Sequence, residues 1–282
     1  MANSVIEFVS HGDQLLGVHR YPRSQGPAVV VFPAMGVPAR YYRRFASELV
    51  AAGCDVSVVD LRGTGDSRPV TSRRSHCGYA ELVADAGVVL DHLSEHLEGR
   101  TTLLVGHSLG GHVASLKLAL RQRESVSATP RVHGLALVAC GLPYHALYGW
   151  RAPYVRAFGA ALRAAARILG YWPGYGFGGR QPEWVIRDWA HTVRTGNFAS
   201  VSGVDLNPGL GEIDMPVMSV TVDNDQFTPP VTTRHLVDKF SAAEVVAHHY
   251  TDAEAGTRLD HFKWAQASGP LVKRIRSFVD RL

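Results

Sequence analysis

Thr101-Thr102-Leu103-Leu104-Val105-Gly106-His107-Ser108-Leu109-Gly110-Gly111 is an apolar run that breaks into glycine, histidine and serine, and a helix-like stretch from His112 to Arg121 follows it directly. Gly106 to Gly110 form a G-x-S-x-G pattern in a strand-turn-helix setting. That arrangement places a serine on a sharp, strained turn with its hydroxyl exposed. The glycines fit this geometry, since any larger side chain beside the turn would collide with the adjoining strand or helix. The flanking strand and helix patterns favour this reading over a plain glycine-rich helix start.

A serine hydroxyl becomes a useful nucleophile only when a base accepts its proton and a carboxylate orients that base. In a strand-turn-helix setting of this kind the chain order is serine, acid, histidine, the last two in loops after later strands. The apolar run Pro216 to Val222 ends in Asp223-Asn224-Asp225-Gln226-Phe227-Thr228-Pro229-Pro230. Asp223 and Asp225 are both candidate acids, and the D-x-x-T-P spacing that starts at Asp225 favours the latter. A third run, Ala243 to Tyr250, precedes a polar loop that reaches Leu259-Asp260-His261-Phe262. Among 14 histidines, His261 stands apart by its order and loop position. His107, His112, His235, His248 and His249 read as core or surface residues. His248 and His249 fall inside the third run, one facing inward and one outward.

Two backbone N–H donors are needed near the attacked carbonyl. Leu109, which follows the serine, supplies one. The strand Ala28 to Phe32 and the loop Pro33-Ala34-Met35-Gly36-Val37-Pro38 offer Met35 for the other, with Gly36 letting the backbone turn away. A fourth run, Val56 to Asp60, enters Asp60-Leu61-Arg62-Gly63-Thr64-Gly65-Asp66-Ser67. This D-x-R-G-x-G-x-S turn lacks the lysine ending of a phosphate-binding loop, and reads as structural support in which Asp60 and Arg62 pin the chain.

With these segments, the chain resembles the α/β-hydrolase superfamily. It looks most like the bacterial branch of serine aminopeptidase-like and lysophospholipase- or monoacylglycerol-lipase-like hydrolases, from about Val5 to Leu282. The resemblance implies a central, mostly parallel sheet, a Ser108-Asp225-His261 triad, no required cofactor, and carboxylic ester or related acyl substrates. Relatives usually carry His-Gly before the oxyanion residue, whereas Pro33-Ala34 precede Met35 here. Serine in place of an aspartate nucleophile disfavours the dehalogenases of the superfamily.

The composition agrees with one large α/β domain. Of 282 residues 46% are hydrophobic and 19% charged, which suits a sizeable core. A net charge of +4, dispersed along the chain, does not suggest nucleic acid. Cys54, Cys77 and Cys140 read as reduced thiols, Met1 to Ser10 as a short strand and not a leader, and no apolar run reaches the about 20 residues of a membrane span. These features suggest a cytoplasmic protein with no metal.

Val5 to Ser10 and Leu15 to Tyr21 read as a hairpin. Helix patterns follow at Tyr41 to Ala52, Tyr79 to Leu97, His112 to Arg121, Val231 to Phe240, and near the C-terminus. Strands alternating with helices predict a parallel sheet buried on both faces, with helices around it. All candidate residues sit at the carboxyl ends of strands, where open sheets bind ligands. Roughly 70 residues separate the strand Leu135 to Cys140 from the next. This predicts a hydrolase core of residues 1–141 and 213–282 and a cap of residues 142–212. The cap holds 12 of the chain's 25 aromatic side chains. Trp150, Tyr154 and Trp184 are the candidate substrate contacts among them. Its helix carries Val155, Phe158, Leu162 and Leu169 on one face and Arg156, Arg163 and Arg167 on another, a solvated surface or a docking face for an anionic substrate or carrier protein. Gly170 to Gly179 read as an irregular loop.

The expected chemistry is hydrolysis of a small-molecule ester or thioester through an acyl-enzyme. An acyltransferase on the same triad and a non-catalytic small-molecule receptor are the alternatives. Peptidase activity stays open by the resemblance, although no residue stands out in the sequence as an acidic anchor for a free amino terminus.

Overall fold

Alternation within each strand decides which core its side chains join. In the computed structural model, which describes residues 4–122 and 130–282, Ala28, Val30 and Phe32 enter one core, and Val29 and Val31 enter the other. The main sheet takes β1 (Val5–His11), β2 (Gln14–Tyr21), β3 (Ala28–Phe32), β4 (Asp55–Val59), β5 (Thr102–His107) and β6 (Gly134–Val138). After a two-stranded ribbon, β7 (Tyr171–Trp172) with β8 (Gln181–Pro182), it gains β9 (Val217–Val222) and β10 (Val245–Tyr250). The order is β1-β2-β4-β3-β5-β6-β9-β10, and only β2 runs against the rest. This is the α/β architecture expected. Of the segment read from Met1, residues 1–3 lie outside the described residues.

Helices α1 (Arg43–Ala51), α2 (Tyr79–His92), α3 (Ser94–Leu97) and α4 (Leu109–Arg121) belong to the first half of the chain. Helices α5 (Ala152–Leu169), α6 (Glu183–Thr195) and α7 (Asn207–Leu210) follow β6, and α8 (Pro230–Val237), α9 (Asp252–Ala255) and α10 (Gly269–Val279) complete the chain. Leu82 and Val83 of α2 and Val113 of α4 close the first core. Phe45 and Leu49 of α1 and Ile275 and Phe278 of α10 close the second, around a fully buried Trp264.

From β3 the chain passes to β4 on one side, then crosses back to β5 on the other, so the direction of winding reverses between β3 and β5. Phe32 and Gly106 are register partners there. The loop at Met35 and the turn at Ser108 therefore open side by side at the carboxyl ends of adjacent strands, the crevice of an open α/β sheet.

Several sequence expectations differ in detail. The strand expected through Cys140 ends at Val138, because β5 offers its last partner there (His107↔Val138) and Ala139 turns at φ 45°. The single helix expected over Tyr79 to Leu97 is divided at Leu93 into α2 and α3. The outer strands are not buried on both faces. In β10, which stands at the end of the sheet beside β9, His248 is half-buried and His249 exposed. The glycine-rich stretch is not wholly irregular, since Gly170 caps α5 in the left-handed conformation and Tyr171–Trp172 form the ribbon strand.

Residues 142–212 contribute nothing to the eight-stranded sheet. Leu162 of α5 is buried, and Arg156, Arg163 and Arg167 are exposed, as the pattern indicates. Cys54, Cys77 and Cys140 are buried free thiols. Among the described residues no helix is long and apolar enough to cross a membrane.

Candidate active site

Ser108 sits between β5 and α4 at φ 51° and ψ −118°. Such backbone angles are costly for a side-chain-bearing residue and persist only where the surroundings enforce them. Here they do. The Ser108 N–H donates to the Val138 carbonyl, while its own carbonyl accepts from the N–H groups of Gly111 and His112 and from the Cys140 thiol. Burial pushes the Cys140 thiol well above its usual range, so it stays protonated and acts as a donor.

Asp225 lies beyond β9 and His261 beyond β10. Asp225 Oδ2 and His261 Nδ1 are 2.8 Å apart, with both side chains almost completely buried. Burial raises the Asp225 carboxyl, but the hydrogen bond and charge of His261, with two hydrogen bonds from Thr228, together hold it below the usual carboxylate value. An ionised Asp225 can only accept, so the Nδ1–H of His261 is directed at it, and Nε2 is the ring nitrogen left to exchange a proton. Phe227 N–H also donates to Asp225. The other candidate acid, Asp223, is spent elsewhere: it meets exposed His249 at 2.9 Å and accepts from Asp252 N–H.

Met35 and Leu109 line the same cavity as Ser108 and His261. Neither N–H donates to a protein acceptor among the described residues, as befits the open start of a helix and an irregular loop. Gly36 stands at φ 69°, and a β-carbon there would lie 2.3 Å from the Gly178 carbonyl oxygen. The glycine-rich loop of the inserted segment thus rests directly on the loop that presents Met35.

A chain of contacts links this loop to the His261 ring. Ala34 N–H donates to the Tyr42 hydroxyl at 2.9 Å, and that hydroxyl meets His107 Nδ1 at 2.7 Å. The His107 ring stands 5.0 Å from the His261 ring, and its Nε2 lies 3.4 Å from Trp264 Nε1. Burial, then the charge of His261, pushes His107 well below the usual histidine range and keeps it neutral. The sequence offered no signal for this link, because Tyr42 and His107 meet only through the crossover from β3 to β5. The D-x-R-G turn is a pin as read. Asp60 accepts from Ala39 N–H and Asp66 N–H, and Arg62 pairs with Asp85. His19, Asp60 and Asp66 bring ligand-type atoms together, but both Asp60 oxygens already accept those N–H groups.

The cavity measures about 680 Å³. From the inserted segment Tyr148, Tyr154, Phe158, Phe177 and Trp189 line it, and Phe227 and Phe262 face it from the loops carrying Asp225 and His261. Two sequence expectations need correcting. Trp150 is 91% exposed and lines no part of the cavity, because the chain kinks beside it at Gly149. Trp184 is directed to the far side of α6, where it packs on His76 and under Arg187. Helical spacing alone did not say which face of α6 looks inward. Arg258 also lines the cavity, and nothing in its local pattern marked it.

His112, another lining residue, is buried with Nε2 3.0 Å from the Gly141 carbonyl and Nδ1 3.2 Å from the Tyr79 hydroxyl. Burial lowers its pKa to about 4, outweighing the opposing hydrogen bond to Gly141. Between the ordinary value of 6.5 and about 4, the unfolded chain therefore binds a proton that the native ring refuses. Stability is full above that window and falls as pH drops through it. Urea midpoints should decline across this range, and less steeply in His112→Gln. An equally steep decline in that variant would assign the effect to other groups.

No curated protein gives a significant sequence match. Solved structures do match over nearly their whole length. They include a putative hydrolase from Agrobacterium vitis S4 (TM-score 0.67, 16% identity, 99% of this chain and 98% of that one). Mouse alpha/beta hydrolase domain-containing protein 10 gives TM-score 0.64 and 17% identity over 98% and 99% of the two chains. The thioesterase domain from the curacin biosynthetic pathway gives 0.59 and 19% over 96% and 99%. At these identities the likeness speaks for the fold. A family model described as "Serine aminopeptidase, S33" matches residues 24–254, most of the sequence. The chain therefore belongs to this hydrolase family, within the α/β-hydrolase superfamily.

Proposed function

We propose that the protein is a serine hydrolase that cleaves carboxylic esters or thioesters through an acyl-enzyme. The observation that carries this reading is the 2.8 Å contact between Asp225 and Nδ1 of His261, at the cavity where Ser108 stands on its strained turn. Ser108 Oγ attacks the acyl carbonyl while His261 Nε2 takes its proton, and Asp225 stabilises the imidazolium that results. The N–H groups of Met35 and Leu109 hold the tetrahedral oxyanion. His261 then gives its proton to the departing alcohol or thiol. Water, deprotonated by the same ring, releases the acid and restores Ser108. Residues 142–212 act as a cap, whose rings supply an apolar wall for the acyl chain.

Incubation with a fluorophosphonate should add one label at Ser108, seen by intact mass and peptide mapping, and Ser108→Ala should take none. Wild-type protein that stays unlabelled would refute the proposal.

A further inference from the structure

We infer that the preferred substrate is an ester or thioester carrying a separate oxyanion group, carboxylate or phosphate, which Arg151 and Arg258 bind at the cavity wall. This rests on the acyl-enzyme reading above and adds the substrate class.

Among the described residues four charged side chains line the cavity: Arg151, Arg258, Lys263 and Asp260. The one acid is already occupied. Asp260 accepts from the N–H groups of Phe262 and Lys263, and its other oxygen lies 3.5 Å from the Lys263 ammonium. Nearby Asp225 is committed to His261. Neither Arg151 nor Arg258 has a carboxylate partner among the described residues, whereas Arg62, Arg187 and Arg274 each have one. The two guanidinium groups come from different parts of the chain. Arg151 precedes α5, and Arg258 stands three residues before His261 in the same loop.

Two cations with no carboxylate partner among the described residues, the half-buried Arg151 and the exposed Arg258, give the wall they share with several aromatic rings a positive potential. A guanidinium's planar fork matches the two oxygens of a carboxylate or phosphate. A free ammonium would meet repulsion and find no available acid, so the same wall disfavours peptides with an open amino terminus.

Two matched pairs of probes test this and separate the sources of the anion. Mono-para-nitrophenyl adipate is compared with para-nitrophenyl hexanoate, and S-hexanoyl phosphopantetheine with S-hexanoyl pantetheine. In at least one pair the anionic member should be favoured about tenfold or more in kcat/KM. The ratio should fall to near one in the Arg151→Gln/Arg258→Gln double variant and largely survive in Arg258→Lys. Ser108-dependent turnover with ratios near one in both pairs overturns the inference, as does a preference that persists in the double variant. If no probe is turned over and Ser108 takes no acyl group, the acyl-enzyme reading has failed. Calorimetric binding of adipate against hexanoate then decides the anion site by itself, with equal affinities counting against it.

Discussion

Replacing either Ser108 or His261 by alanine is expected to lower kcat/KM for an activated aryl ester by about ten-thousandfold to a millionfold. The double variant should lose no more than the worse single one, because a base without its nucleophile has nothing to activate. Asp225→Asn should lose about ten-thousandfold with little change in fold. An asparagine can turn its NH₂ towards Nδ1, which then becomes the acceptor and leaves the proton on Nε2, where the serine needs a lone pair. Initial rates for the four variants measure this. Losses that multiply in the double variant would mean that the two side chains act independently, and the triad would have to be abandoned.

The second large effect concerns folding. A β-carbon at Gly110 would lie 2.1 Å from the Phe32 carbonyl oxygen and 2.6 Å from that of Pro33, and at Gly106 it would lie 2.3 Å from the Gly111 α-carbon. These obstacles are backbone atoms of β3, of the residue after it and of α4, which cannot swing aside as a side chain would. Gly110→Ala is therefore expected to cost about 3 kcal/mol or more. Gly12 makes a good control. It has φ 62° in the hairpin turn with nothing within 4 Å of an added β-carbon, so Gly12→Ala should cost only the left-handed strain, about 1–2 kcal/mol. Urea unfolding of both variants makes the comparison. Equal shifts would show that the close approach of α4 to β3 carries no weight.

Much of this protein was legible in its order of residues. Apolar runs of strand length separated by helix-period stretches dictate a buried parallel sheet, since such strands can connect only by crossovers. Gly106 to Gly111 announce a tight turn because only glycine tolerates backbone on every side. Chain order picked out His261, and the D-x-x-T-P spacing favoured the carboxylate that the structure brings to it.

Tertiary structure decided what local pattern cannot encode. Which of Asp223 and Asp225 meets His261 depends on how two loops lie over β9 and β10, two residues apart in sequence yet engaged with different histidines. Trp184 and Trp189 share a helix and a residue type, and only the packing of α6 turns the second into the cavity and the first away. Tyr42, His107 and Ala34 become one hydrogen-bonded chain because the winding reverses between β3 and β5. Spacing along a chain fixes periodicity, and through it the elements and their buried faces. Contacts between elements depend on rotations and loop paths set by the whole core, so the wall of the cavity emerged only once the sheet was assembled.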